Sequence, residues 1–214
     1  MQTSIIRAPS SHPTASPERS PDLLDRQTFL VRERVGFAKL TDTYDLLDPA
    51  TQQTIGIAKE EPPVWAKWLR LLVNKRLLPT TINVYGAEES TRKLSIHRSV
   101  AFLSAKVEVR DRGGKPMGYL KSKVFSLGGG FRVYLGDQEV AEVKGDWKGW
   151  DFKLTGKDGH QLGRVTKKWA GIGKELFTSA DTYVISLDGP PQNRPAATLL
   201  LAAGLAIDMV FKER

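Results

Sequence analysis

Apolar and polar residues alternate along several short segments of this chain, and each segment is bounded by a turn. Val107 and Val109 alternate with Glu108 and Arg110, and the same period of two recurs in residues 131–135 and 150–154. This period gives a strand one face to bury. The turns are rich in Gly, Asp and Pro, and they lie at residues 48–49, 86, 113–114, 136–137 and 158–159. The pattern predicts a mainly β protein, a meander of hairpins that must form a sandwich or a barrel.

The last segment, residues 196–211, has a different pattern, because Ala and Leu dominate it without alternation. Most of its residues favour a helix. A helix of this length spans about 24 Å, less than the roughly 30 Å core of a bilayer. A helix that is apolar all round is buried in protein or in lipid. Since a closed sheet needs filling, we expect the helix inside it, with a short membrane anchor as the alternative; its central residues are Leu199, Leu200, Leu205, Ile207 and Val210.

Composition limits the partners and the chemistry. The chain has 214 residues, enough for one sizeable domain, and a formal net charge of +8. The excess of Lys and Arg favours anionic partners, whether lipid headgroups, nucleic acid or acidic protein. The sequence contains no cysteine, which excludes disulfides, thiolate metal sites, cysteine nucleophiles and palmitoylation.

The first 25 residues are expected to form a disordered tail, because residues 8–21 are rich in Pro and Ser. One domain then covers residues 26–214. The N-terminus lacks the apolar run of a secretion signal, and Gln2 stands where myristoylation requires glycine. We therefore expect an intracellular protein, cytoplasmic or at the cytoplasmic face of a membrane.

No catalytic motif is found. The three histidines show no spacing typical of a metal site, and residues 171–174 lack the spacing of a phosphate-binding loop. Neither a nucleophile elbow nor a zinc-protease motif is present. The sequence therefore predicts a protein that is not an enzyme and that has no evident small-molecule substrate.

Residues 63–78 carry the most informative local pattern. As a helix, this segment places Trp65, Trp68 and Leu72 on one side and Lys67 and Arg70 on the other. Such a basic amphipathic stretch suits shallow insertion at an anionic membrane surface. The alternative is a helix that covers the sheet with its apolar side. The candidate lipid-binding residues here are Trp65, Lys67, Trp68, Arg70, Lys75 and Arg76.

A second basic concentration spans residues 144–174, where Trp147, Trp150 and Trp169 are interleaved with lysines and arginines. If neighbouring strands bring the cations together, they form a face that binds phosphate. The alternative is a solvated sheet surface with Trp in the core. The candidate lipid-binding residues of this region are Lys148, Lys167 and Lys168.

Four ordered motifs resemble the phospholipid scramblase family, which is grouped with the LURP-one-related and tubby C-terminal-like proteins. They are GDWKGWDF at residues 145–152, GRVTKKWAG at 163–171, ELFTSADTY at 175–183 and AIDMVFKE at 206–213. The resemblance is good from about Leu94 onward and weaker from Arg26 to Lys59. It implies a closed barrel of about twelve strands around a buried hydrophobic C-terminal helix.

The resemblance also implies a calcium loop that begins near Ser179. Only Asp181 keeps an acidic side chain at a matching position, whereas calcium requires six to eight oxygens, several of them from carboxylates. The loop is therefore depleted, and no other cofactor is implied. Family members often carry a cysteine-rich, lipidated stretch between their early strands, which the segment from Trp65 to Arg76 replaces here.

The function that follows is that of a scramblase-like, membrane-associated protein that binds anionic phospholipids and moves them between leaflets, with the binding better supported than the movement. The alternative is a soluble tubby-like regulatory or interaction module that binds nucleic acid, phosphoinositide or protein.

Overall fold

The computed structural model of the chain describes residues 22–34, 40–74, 77–100, 106–122, 130–146, 148–167, 182–189 and 194–211. Twelve strands and two α-helices account for most of these residues. The strands are β1 (Thr28–Glu33), β2 (Thr43–Leu47), β3 (Thr54–Glu60), β4 (Thr80–Gly86), β5 (Arg92–Arg98), β6 (Lys106–Asp111), β7 (Pro116–Ser122), β8 (Gly130–Leu135), β9 (Gln138–Asp146), β10 (Asp151–Gly156), β11 (Gln161–Thr166) and β12 (Thr182–Leu187). The helices are α1 (Val64–Leu69) and α2 (Arg194–Phe211).

Each strand pairs antiparallel with the next one in the chain, and β1 pairs with β12, so that the sheet closes into a barrel. All five turns that the sequence predicts join consecutive strands. Gly114, Gly136 and Gly159 adopt positive φ in three of these turns, which is the conformation that glycine tolerates best. The expectation of a closed barrel of twelve strands is confirmed.

Helix α2 fills the barrel. Its residues share one core cluster with inward-facing side chains from all twelve strands. Leu199, Leu205, Ile207 and Val210 are buried, and Leu200 is partly buried against the same cluster. Protein therefore surrounds the helix, and the expectation of a buried C-terminal helix is confirmed. In the parts of the chain that the structure describes, no helix combines the length and the hydropathy needed to cross a bilayer.

A short 3-10 helix (Leu23–Asp25) precedes β1. Leu23 is buried in the core cluster, and the carboxylate of Asp22 accepts a hydrogen bond from the backbone N–H of Leu24. Lys93 on β5 pairs with Asp22 at 2.7 Å. The tail expected over residues 1–25 therefore overlaps, at residues 22–25, with a segment that packs on the barrel. The rest of that tail lies outside the described residues.

Candidate functional site

Residues 64–74 and 77, here called the apolar segment, project large apolar side chains into solvent. Trp65, Trp68 and Leu72 are 55%, 65% and 85% exposed. Among the described residues, every large apolar side chain classed as exposed lies in this segment except Val100 and Leu135. A contiguous exposed apolar patch marks a binding surface for protein or membrane. The alternative in which the segment covers the sheet with its apolar side is wrong.

The apolar segment contains less helix than expected. Helix α1 ends at Leu69, and single turns continue the chain, with Leu72 N–H donating to the Leu69 carbonyl at 3.0 Å and Val73 N–H donating to the same oxygen at 2.8 Å. Pro63 occupies the position before the first helical residue and makes no side-chain capping bond. A helix this short is not stable by itself. Contacts with the barrel must hold it in place.

Ala66 and Arg70 supply those contacts. They are four residues apart and so lie on one side of the helical turn. Ala66 is fully buried, and the Arg70 side chain is 2% exposed. The Arg70 guanidinium donates to both carboxylate oxygens of Glu60, at 2.9 and 2.7 Å, and to the carbonyl of Leu40 at 2.5 Å. This bidentate pair fixes the base of the apolar segment to the end of β3.

Glu60 keeps its charge in this buried position. Burial raises the pKa of its carboxyl, but the hydrogen bonds and the charge of Arg70 outweigh burial and hold the pKa below its usual value. The hydroxyl of Thr80 and the backbone N–H of Asp42 also donate to the Glu60 carboxylate, at 2.8 and 3.1 Å. Four hydrogen bonds thus reach the Glu60 carboxylate, whereas Arg70 Nε is buried without a hydrogen-bond partner among the described residues.

The lipid-binding role predicted for Arg70 is therefore wrong. Its guanidinium is enclosed between Glu60, Thr80 and Leu40 and does not reach a headgroup. Lys67 is exposed on the segment, as expected. Lys75 and Arg76 lie outside the described residues.

A groove of about 320 Å³ borders the apolar segment on the outer face of β4, β5 and β6. Pro63 and Pro79, which flank the segment, contribute to its lining. Thr81, His97 and Glu108 are aligned across the three strands and also line it. This surface, here called the β4–β6 groove, and the apolar segment lie at the same end of the barrel.

Arg98 connects that end of the barrel to the buried helix. Its guanidinium donates to the Met209 carbonyl of α2 at 2.7 Å and to the Leu78 carbonyl at 3.1 Å. A cation at the C-terminal end of a helix satisfies carbonyls that have no partner within the helix. The buried Arg98 thus joins the C-terminal end of α2 to the residue that follows the apolar segment, and it also lines the β4–β6 groove.

Comparison with known proteins identifies the family. A family model described as Scramblase matches residues 88–214, more than half of the chain. The chain belongs to the scramblase family. A curated relative, the altered inheritance rate of mitochondria protein 25 of Saccharomyces cerevisiae, is 30% identical over 50 residues, which are 23% of this chain and 15% of that protein. No solved structure matches the chain at a significant level.

The scramblase-family match begins in the turn between β4 and β5, so that β5 to α2 lie within it and the apolar segment lies outside it. The strands β5 and β6 of the groove belong to the matched part. At this end of the barrel, β5 and β6 therefore belong to the part that matches the scramblase family, whereas the apolar segment does not.

The second basic concentration is only partly assembled in this scramblase-family barrel. Lys144, Lys153 and Arg164 are aligned across β9, β10 and β11. Lys144 pairs with Glu142 at 2.6 Å, and Arg164 pairs with Asp151 at 2.5 Å, so two of the three cations have acidic partners. Paired charges of this kind are typical of a solvent-exposed sheet surface, which was the alternative to a phosphate-binding face.

The candidate lipid-binding residues at the edge of this region differ in their surroundings. Lys148 is exposed in the turn before β10, and Lys167 Nζ lies 4.5 Å from the centre of the Trp150 ring. The Trp150 ring itself packs on Tyr183, with ring centres 5.3 Å apart, and is only partly exposed. Lys168, Trp147 and Trp169 lie outside the described residues.

The calcium loop of the resemblance is not located, because Asp181 lies outside the described residues. Among the residues that the structure does describe, no group of three or more His, Asp or Glu side chains is arranged to hold a metal ion.

Proposed function

We propose that the chain is a peripheral membrane protein of the scramblase family that binds anionic phospholipid through the apolar segment. The observation that carries this proposal is the exposure of Trp65, Trp68 and Leu72 on a base fixed by the Arg70–Glu60 pair. Tryptophan favours the headgroup level of a bilayer, and Leu contributes apolar area below it. The preformed base means that little conformational entropy is lost on insertion.

The charge of the protein also supports the apolar segment as the membrane-binding surface. The net charge of +8 attracts the chain to anionic lipid, and exposed Lys67 lies among the apolar side chains. Among the residues of the second basic concentration that the structure describes, no large apolar side chain is exposed. The apolar segment is therefore the better candidate for insertion.

Movement of phospholipid between leaflets is the narrower form of this proposal. Side chains of α2 and of all twelve strands fill the barrel interior. Any lipid that this chain moves in its barrel form must therefore travel along the outer surface of the protein and not through the barrel.

Sedimentation with vesicles tests the membrane binding. Vesicles of phosphatidylcholine with an anionic phospholipid should carry down the wild-type chain, whereas the variant Trp65→Ala/Trp68→Ala/Leu72→Ala should remain mostly in the supernatant. Leu135→Ala, which removes an exposed apolar side chain at the end of β8, is the matched control and should sediment like the wild type. Equal sedimentation of the wild type and the triple variant would contradict the proposal.

A further inference from the structure

Three cations lie side by side on the outer face of β6, β7 and β8. Lys106 is directly opposite Lys121, and Lys121 is directly opposite Arg132. A neighbour of each in the chain belongs to the core cluster, so the three cations point outward, and all three are exposed. We call these three residues the basic row.

The basic row has little acidic compensation on the protein. Among the described residues, neither Lys106 nor Lys121 takes part in an ion pair. Arg132 Nε lies 4.0 Å from Glu139, but Glu139 and Glu142 pair with other lysines, at 2.8 and 2.6 Å. Like charges directly opposite each other on neighbouring strands lower stability. An external anion that lies along the row would remove this repulsion.

A stacked pair of tyrosines borders the basic row. Tyr119 and Tyr134 are directly opposite each other, two residues along their strands from Lys121 and Arg132. Their ring centres are 4.6 Å apart, and the ring planes differ by 9°. Both side chains are partly exposed. From the neighbouring strand β6, Lys106 Nζ lies 4.5 Å from the centre of the Tyr119 ring. The surface thus offers aromatic rings next to a line of positive charge.

This combination indicates which polyanion fits. Successive phosphates of a nucleic acid can pair with cations in a row, and a base can stack on an aromatic ring. An acidic peptide supplies carboxylates without a ring beside each charge. In a duplex the bases are stacked inside the helix, where a tyrosine on a sheet face does not reach them, whereas the bases of a single strand are accessible.

We infer that the outer face of β6, β7 and β8 binds single-stranded nucleic acid, with phosphates on the basic row and a base on the Tyr119 ring. The row crosses two strand spacings and so spans about 10 Å. Lys106 moves from the ring to a phosphate, because a charge-assisted pair is stronger than an exposed cation–π contact. The base then takes its place. The inference goes beyond the proposed membrane binding and does not rest on it.

Fluorescence anisotropy of a labelled thymidine oligonucleotide of about twelve nucleotides measures this binding to the full chain. The slope of log K against log salt should be about −2, because each of three phosphate contacts contributes roughly −0.7 on a single strand. Lys121→Gln should weaken binding about fivefold at low salt and change the slope to about −1.4.

Lys115→Gln is the charge-matched control, because it removes an exposed lysine from the turn at the opposite end of the same hairpin. It should change the affinity by less than about twofold and leave the slope unchanged. Equal effects of Lys121→Gln and Lys115→Gln, or absence of oligonucleotide binding by the wild type at low salt, would overturn the inference.

Variants of Tyr119 test the aromatic contact. Tyr119→Val keeps a side chain that favours a strand but removes the ring, and it should weaken oligonucleotide binding about tenfold. Tyr119→Phe keeps the ring and should bind within about twofold of the wild type. Circular dichroism checks that both variants are folded. Equal affinities of Tyr119→Val and Tyr119→Phe would contradict stacking on this residue.

Two further measurements separate this surface from general attraction to anions and from the membrane role. A glutamate peptide with the same number of charges should bind at least about tenfold more weakly than the oligonucleotide, and equal binding would overturn the inference. Trp65→Ala/Trp68→Ala/Leu72→Ala should bind the oligonucleotide like the wild type even where it no longer sediments with vesicles. Loss of oligonucleotide binding in this folded variant would place the nucleic acid on the apolar segment and contradict the assignment to β6, β7 and β8.

Discussion

Arg70 joins the apolar segment to the barrel through one buried ion pair. Its partner Glu60 is the last residue of β3 and lies on the same side of that strand as buried Ala58. A charged residue at an inward position needs a partner of opposite charge, because burial without one is costly. The pair therefore determines where Trp65 and Trp68 are presented.

We expect Arg70→Ala to lower the free energy of unfolding by about 3–5 kcal/mol, because it leaves the Glu60 carboxylate buried without its cation. Urea unfolding followed by circular dichroism measures this change. Lys67→Ala, in the same apolar segment but exposed, is the control and should change stability by less than about 0.5 kcal/mol. Equal effects of the two variants would contradict the anchoring role of Arg70.

The dependence of the free energy of unfolding on pH in the acid range provides an independent test of the Arg70–Glu60 pair. The pKa of Glu60 is lowered in the folded protein, so its contribution to stability is complete above the usual carboxyl value of 4.5 and disappears as the pH falls through the lower folded value. In Arg70→Ala, burial without the cation should raise the pKa of Glu60. The difference in stability between the wild type and this variant should therefore shrink on acidification, and a difference that does not depend on pH would contradict the account.

Two tyrosines inside the barrel should resist ionisation. Burial raises the pKa of Tyr44 and of Tyr183 well above 10, and the charge of Asp208 raises both further. Tyr44 donates a hydrogen bond to the Asp208 carboxylate at 2.5 Å. Because the folded values are raised, these groups oppose unfolding below pH 10, and that contribution is lost as the pH rises above it.

Ultraviolet titration of the folded chain should therefore show fewer ionising tyrosines than the five in the sequence. The remaining two should ionise together with alkaline unfolding, followed by circular dichroism. Ionisation of all five before the unfolding transition would contradict the buried positions of Tyr44 and Tyr183.

At the scale of elements, α2 is fitted closely to the strands around it. A Cβ atom added at Gly204 would overlap with Ile185 Cδ1 and would lie 2.6 Å from Ile185 Cγ1. Ile185 is buried on β12, so its side chain has little room to move. Glycine at this position thus allows the helix to approach the barrel wall.

Gly204→Ala should destabilise the protein by about 1–2 kcal/mol, because overpacking costs more than the gain of about 1 kcal/mol in helix propensity. Thermal unfolding of the single variants and of the double variant with Ile185→Ala completes a double-mutant cycle. The double variant should lose less stability than the sum of the two single variants. Additive losses would mean that the two residues do not contact each other.

The alternation of apolar residues and the glycine turns were sufficient to predict the hairpins, because strand direction and turn chemistry are local properties. The length of α1 was not predictable in the same way. Trp65, Trp68 and Leu72 have helical spacing, but whether their side faces the protein depends on Ala66 and Arg70, which bury the opposite side. The only feature of the sequence that indicates this buried contact is Glu60, an acidic residue at an inward position of β3.

At the scale of the whole molecule, membrane binding combines charge with apolar insertion. Salt screens the attraction between the basic surface and anionic lipid, whereas apolar burial depends on it much less. We expect sedimentation with anionic vesicles to fall as salt rises without disappearing. The variant Trp65→Ala/Trp68→Ala/Leu72→Ala should lose the binding that remains at high salt, and complete loss of wild-type binding at high salt would contradict insertion.

Quenching of tryptophan fluorescence by lipids brominated on their acyl chains tests the central claim most directly, because it reports which tryptophans enter the bilayer. Two of the five tryptophans, Trp65 and Trp68, lie in the apolar segment. Anionic vesicles with brominated lipid should quench the wild type strongly and Trp65→Phe/Trp68→Phe only weakly, while the latter still sediments with the vesicles. Absence of quenching in the wild type, or equal quenching in both proteins, would contradict insertion through the apolar segment.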